Sequence, residues 1–256
     1  MKLLYIVLVN LVFVCAAVDV KAQTISFPDK NFKDALIELG LDTNKDGNIQ
    51  KSEVANVKEL YVVKAGITSL AGIKNFTSLE DLGFYENKLK TVDLEGMKTL
   101  KFIYGFRNEI TQIKLKGCSN LEILALDNNQ LSSIDLNGLT KLREIDINWN
   151  KLQRVDLNDT PKLVKAWLWD NQITSFKANG SPELKDLKLN KNLIEEIDLR
   201  TLTQLISVNL NDNPLRKVNV TGLSALETLN CEGIGRRSFL TQLNTSGLIN
   251  LKECKW

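Results

Sequence analysis

The run Asp42-Thr43-Asn44-Lys45-Asp46-Gly47-Asn48-Ile49-Gln50-Lys51-Ser52-Glu53 sets oxygen-bearing side chains at a spacing that suits a hard cation. Asp42, Asn44 and Asp46 alternate, so one tight loop would turn all three towards a common centre. Gly47 allows a sharp bend, and Asn48, Gln50 and Glu53 add further oxygens. An all-oxygen shell of this kind takes calcium. The bland alternative is an Asx-rich turn that joins two elements without an ion. Glu144 and Asp146 form a second group, two carboxylates on one face of an extended segment. Such pairs run glycoside hydrolysis where enclosure drives their pKa values apart. On an open face little is expected to separate them, so no enzyme is expected. The chain has no histidine, which removes imidazole catalysis and most zinc sites.

A strict period sets out the elements that must position these groups. Asn87, Asn108, Asn129, Asn150, Asn171, Asn192 and Asn213 recur every 21 residues. Around each, apolar residues fill repeat positions 1, 4, 6, 11, 14 and 16, with the Asn at 9; Leu121, Leu124, Leu126, Asn129, Leu131, Ile134 and Leu136 show the frame. A fixed period of this length means a solenoid, whose coils bury their apolar faces only by stacking. Positions 3 to 7 are expected to be a strand with 4 and 6 inward and 3, 5 and 7 outward, and the chain returns along positions 14 to 16. The Asn column is scaffolding, its amides meeting backbone groups in the turn. The Asp-rich column at position 15 (Asp93, Asp135, Asp156, Asp198) is expected to be a solvated face. The first repeat, from Val57, is one residue longer, and the ninth, from Leu226, carries a four-residue insertion near Glu232–Phe239.

The segment Leu121-Glu122-Ile123-Leu124-Ala125-Leu126-Asp127-Asn128-Asn129-Gln130-Leu131 resembles the leucine-rich repeat consensus, and the 21-residue length resembles its bacterial, internalin-like class. The resemblance covers residues 57–256. It implies an α/β repeat fold, a curved solenoid with a parallel sheet on the concave face, and work as an interaction module. The loop from Asp42 to Glu53 resembles an EF-hand calcium loop, with Asp42, Asn44, Asp46, Asn48 and Glu53 as the ligands. Residues 23–56, with Phe32, Leu36 and Leu39 at helical spacing, are expected to form a short helical cap over the first coil. Calcium there would be structural, Ile49 tying the loop to the core. About nine repeats and a closing half-repeat follow.

The outward positions indicate where a ligand would sit. Position 7 carries Tyr85, Phe106, Asp127, Asn148 and Trp169, and position 5 carries Tyr104, Asp146, Trp167 and Lys188. Trp149 stands at position 8, on the rim. Large aromatics at solvent-facing strand positions suggest a docking surface; a purely structural aromatic ladder is the bland reading. Trp and Tyr suit a protein partner, and the flanking polar groups suit a glycan. Trp256 is expected to plug the far end of the solenoid.

Residues 1–22 have the make-up of a secretory signal: Lys2, an apolar stretch from Leu3 to Val14, and a small-residue cut site after Ala22. The expected product is exported, whether secreted, periplasmic or at the cell surface. Removing Lys2, Asp19 and Lys21 leaves 31 basic and 30 acidic residues. That near-neutral balance speaks against nucleic acid, and the apolar run is too short for a membrane span. Cys118, Cys231 and Cys254 remain. Cys118 is expected to be a buried apolar group, and the offset between Cys231 and Cys254 predicts two buried, unbridged thiols.

Overall fold

A computed structural model describes residues 23–233 and 239–256. The signal segment 1–22, with its cut after Ala22, and Ile234–Ser238 of the insertion lie outside the described residues. The chain winds into a solenoid. Its front sheet has ten parallel strands in sequence order, from Glu59–Tyr61 to Glu253–Lys255. Strands are three residues long, shorter than the frame suggested, because only positions 3 to 5 pair before the turn begins. The register follows the period: Leu124 pairs with Ile145, and Ile145 with Ala166. The longer first repeat brings Leu60 opposite Leu82, and the insertion brings Leu229 opposite Cys254. On the opposite side, short strands such as Arg154–Asp156 and Ser175–Lys177 pair in separate small sheets.

Leu121, Leu124, Leu126 and Leu131 are fully buried, as the frame requires. Each stabilises by about 2 kcal/mol relative to exposure, and the coils supply that burial to one another. The Asn column holds the turns. Asn150 Nδ2 donates to the carbonyls of Leu126, Ile147 and Asn148, and its Oδ1 accepts from Leu131 N–H at 2.9 Å. Each Asn thus stitches its coil to the one before it. The residue ahead of it is left-handed throughout: Glu86, Arg107, Asn128, Trp149, Asp170, Lys191 and Asp212 all have φ between 48° and 57°. The Asp column is exposed but does local work as well. Asp93, Asp135, Asp156 and Asp198 each accept the N–H two residues on, closing the return turn.

The cap forms as expected. Helix α1 (Lys30–Glu38) starts at Asp29, whose carboxylate accepts Phe32 N–H at 3.0 Å, and α2 (Lys51–Val54) follows the acidic loop. Phe32, Leu36, Ile49 and Val54 are fully buried, and the Phe27 ring meets Phe32 edge-on at 5.3 Å. Leu39 departs from the expected face: it is the C-cap residue of α1, past the last turn, and 53% exposed.

The far end differs from expectation. Trp256 is 68% exposed and does not plug the core; it borders an open hollow with Leu240, Leu243, Leu251 and Cys254. Its strand stops at Lys255, so the ring is not held to the inward side of the sheet. Cys118 is buried, and burial pushes its thiol up to about 11. Cys231 is buried as expected, but Cys254 is exposed, and both are free. Among the described residues no helix is long and apolar enough to cross a membrane.

Candidate functional site

The acidic loop is tightly knit from its own groups. Asp42 accepts from Asp46 N–H and Gly47 N–H, Asn44 Oδ1 accepts from Asp46 N–H, and Asp46 Oδ1 accepts from Asn48 N–H. Lys45 and Gly47 take left-handed φ of 60° and 77°, which folds the alternating side chains inward. Glu53, an expected ligand, is engaged by donors of the loop itself. Its Oε1 accepts from Thr43 N–H and Oγ1 and from Asn44 N–H, and its Oε2 accepts from Gln50 N–H at 2.8 Å. The Asn48 side chain accepts from Lys33 Nζ. The donor types suit a hard cation, yet among the described residues no three carboxylate, His or Cys groups converge as metal ligands. Against a desolvation that raises it, hydrogen bonds from Gln50, Thr43 and Asn44 hold the Glu53 carboxyl below its usual range.

The front sheet gathers the aromatic residues into two walls. In the first, Tyr85 and Phe106 stack at 4.3 Å, and Tyr61 stacks towards Tyr104 at 6.5 Å. Gly83 lies between those two tyrosines. A Cβ there would meet the Tyr61 ring at 2.3 Å, so glycine opens the slot through which the ring reaches across a coil. Tyr61 Oη donates to Asp81 Oδ2 at 2.7 Å; burial and that carboxylate push the hydroxyl's pKa well up. Tyr61 belongs to this wall although the sequence reading passed it over; it occupies the same position 5 as Tyr104, two coils earlier.

In the second wall Trp149 and Trp169 meet edge-on with centroids 3.8 Å apart. Trp167 Nε1 donates to Asp186 Oδ2 at 2.7 Å, and Lys188 Nζ sits 4.1 Å over the Trp167 ring. Trp149 is 43% exposed and Tyr61 39%; the other wall residues are half-buried. Asp81 and Asp186 each hold a ring with one oxygen while the other, Oδ1, is buried with no partner among the described residues.

Between the walls the position-5 and position-7 columns run for two coils without an aromatic, while Trp149 stands at position 8 of the second of those coils, on the rim. Ala125 and Asp146 occupy position 5, and Asp127 and Asn148 position 7. Asn148 was expected to meet a ligand, but it is buried. Its Oδ1 accepts from Trp169 N–H, and its amide holds Asp146. For Asp146 the expectation of little shift on an open face does not hold. Burial first, then the charge of Asp127, pushes its carboxyl up to about 6. Glu144 is ion-paired with Lys165 at 3.0 Å. A separate hollow of about 540 Å³ opens on the opposite side of the solenoid, floored by Phe176 and by Asp198 with its Arg200 pair; it brings together none of the expected site residues.

No family model and no curated protein matches the chain. Solved structures match its fold. The functional domain of InlJ from Listeria monocytogenes, described as including a cysteine ladder, aligns with a TM-score of 0.64 at 22% identity, over 91% of this chain and 61% of that one. Internalin C2 from the same organism aligns at 0.61 and 24% identity, over 78% of this chain and 92% of that one. YopM from Yersinia enterocolitica aligns at 0.60 and 22% identity, over 87% of this chain and 54% of that one. The chain thus spans about three-fifths of the InlJ domain. These likenesses show an internalin-type leucine-rich repeat fold. Cys118, Cys231 and Cys254 stand in three different columns of the repeat, so they make no ladder.

Proposed function

We propose, from an internalin-type solenoid, that this chain is an exported recognition module that takes an extracellular or cell-surface protein on its concave face. The observation that carries this reading is how the rings are used. Tyr85 and Phe106 cover one another, Trp149 and Trp169 meet edge to face, and Lys188 covers Trp167. Sugar stacking needs open ring faces, whereas a protein interface uses ring edges, apolar area and nearby charges. The module performs no chemistry. The Glu144–Asp146 pair stands on an open sheet face with Glu144 ion-paired to Lys165, without the enclosed cleft in which paired carboxylates hydrolyse a glycosidic bond.

Intrinsic tryptophan fluorescence tests the choice between ligand classes. Titration with oligosaccharides in calcium should leave the spectrum flat. Surface proteins selected on the immobilised chain should shift it, and Trp167→Ala/Trp169→Ala should abolish that shift. A saturable response to a sugar that the double variant loses would replace the protein reading with a glycan one.

The same proposal includes structural calcium in the cap. Asp42, Asn44, Asp46 and the Asn48 carbonyl supply oxygens, and Glu53 would turn from the amides it now accepts. Binding in the range of about 0.1–1 mM is expected, as in other extracellular modules. Thermal melting should rise in millimolar calcium and fall in chelator, and Asp42→Ala should remove the difference. Equal melting in both conditions would leave the loop as the bland Asx-rich turn.

A further inference from the structure

We propose that the floor between the two aromatic walls is the seat of a lysine or arginine side chain from an extended segment of the protein partner. This rests on the concave-face reading above and narrows it to one kind of contact. The front-face strands run about 4.8 Å apart, so the three steps from Tyr104 to Trp167 separate the wall backbones by about 14 Å. Ala125 and the buried Asn148 keep the space between low. One long side chain fits there with its methylenes against ring edges and its charged head on the floor.

The floor is chemically matched to a cation. Asp127 and Asp146 are near enough for the charge of one to oppose ionisation of the other. Three cationic side chains of nearby coils are engaged elsewhere. Lys165 pairs with Glu144, Arg107 with Glu86, and Lys188 lies over Trp167, easing Asp146 only from a distance. Asn128 donates to Asp127, and Asn148 to Asp146. Neutral donors thus orient both carboxylates without neutralising either. An incoming ammonium or guanidinium would relieve the like-charge repulsion and gain charge-assisted hydrogen bonds inside a partly dry slot. The wider face agrees in sign. Over the first seven front strands and the position-7 column beside them, the outward acids are Glu59, Asp81, Asp127, Glu144, Asp146 and Asp186, against Lys165 and Lys188.

Selection of a random twelve-residue peptide library on the protein at pH 7.5 tests this, followed by affinity measurements on the enriched peptides. The expected winners carry Lys or Arg beside an apolar residue. Replacing that basic residue by norleucine should weaken binding at least tenfold, as should Asp146→Asn or Asp127→Asn in proteins whose melting shows them folded. Binding should also weaken as the pH falls through about 6, where Asp146 takes up a proton. Peptides lost with Trp167→Ala/Trp169→Ala but indifferent to both Asp variants would overturn the cation seat and leave the protein-recognition reading standing. Peptides indifferent to the tryptophans, or none enriched at all, would overturn both.

Discussion

The cap and the concave face are built from the same residue types and treat them in opposite ways. In the cap the aromatic Phe32 is sealed, and the carboxylates Asp29 and Glu53 are surrounded by donors that hold them ionised. On the concave face Trp149 and Tyr61 stand in solvent, Asp146 is half-buried beside another acid, and Asp81 and Asp186 each keep an oxygen without a partner among the described residues. A solenoid's end coil needs its core covered, so the cap is organised for stability. Stability does not account for the face. Its unfavourable features lie within a few coils of one another, which supports the proposed recognition face.

The largest expected effect breaks the cap. Phe32→Ala removes a fully buried ring packed on Phe27 and should cost about 4 kcal/mol in urea unfolding. Because coils are stabilised by their neighbours, the first coils should lose amide-exchange protection before the rest. A smaller loss is expected at Asp29, which caps α1 and also accepts from Thr68 and Ser69 N–H. Asp29→Ala should cost about 1 kcal/mol at neutral pH. Desolvation raises the Asp29 pKa, but the bonds from Thr68, Phe32 and Ser69 outweigh it and hold the folded value below the usual one. Its contribution is therefore complete above the ordinary carboxylate range and lost as acid protonates it. The penalty of the variant should shrink at low pH.

How much of this could be read beforehand follows from what periodicity encodes. The 21-residue frame settles the solenoid, the inward Leu column, the Asn ladder, and even the longer first coil and the insertion seen in the pairing of Leu60 with Leu82 and Leu229 with Cys254. Outward residues obey no such frame. Which side chains would face out was legible; how they meet was not. Tyr61 reaching over Gly83, Asn148 turning in to Trp169 N–H and the raised Asp146 all depend on neighbours a coil away. The left-handed column escaped notice because its residues share no type, running from Glu86 to Trp149 to Lys191. Trp256 was misjudged because the frame fixes where a residue falls in a coil, not whether that coil holds it.

Asp146 should respond with the opposite sign to Asp29. Its folded value of about 6 lies above the ordinary 3.8, so the native state holds its proton longer than the unfolded chain. Stability falls as pH rises from the ordinary carboxylate range to about 6 and is flat above. Asp146→Asn keeps an acceptor for Asn148 and removes the half-buried charge. It should stabilise the protein at pH 7 by about 1 kcal/mol, after discounting for the open side of the site. It should also flatten that part of the pH profile. A loss of stability at pH 7 would mean that Asp146 is scaffolding, and the contrast between cap and face would lose its sharpest example.

The smallest expected change in stability is also the most selective. Trp149 is a bulky residue at φ 48°, a conformation that costs roughly 1 kcal/mol for a residue with a Cβ and less for asparagine. Asn128 already fills the same place one coil earlier at φ 55°. Trp149→Asn should therefore recover backbone strain while giving up the edge contact to Trp169, which is worth about 1 kcal/mol. The two nearly cancel, so melting should move by no more than a degree or two. If the exposed ring is there for a partner, binding should drop by at least tenfold with the fold untouched. If binding holds and melting drops, the pair of tryptophans is a structural ladder and the face, like the cap, is organised for stability.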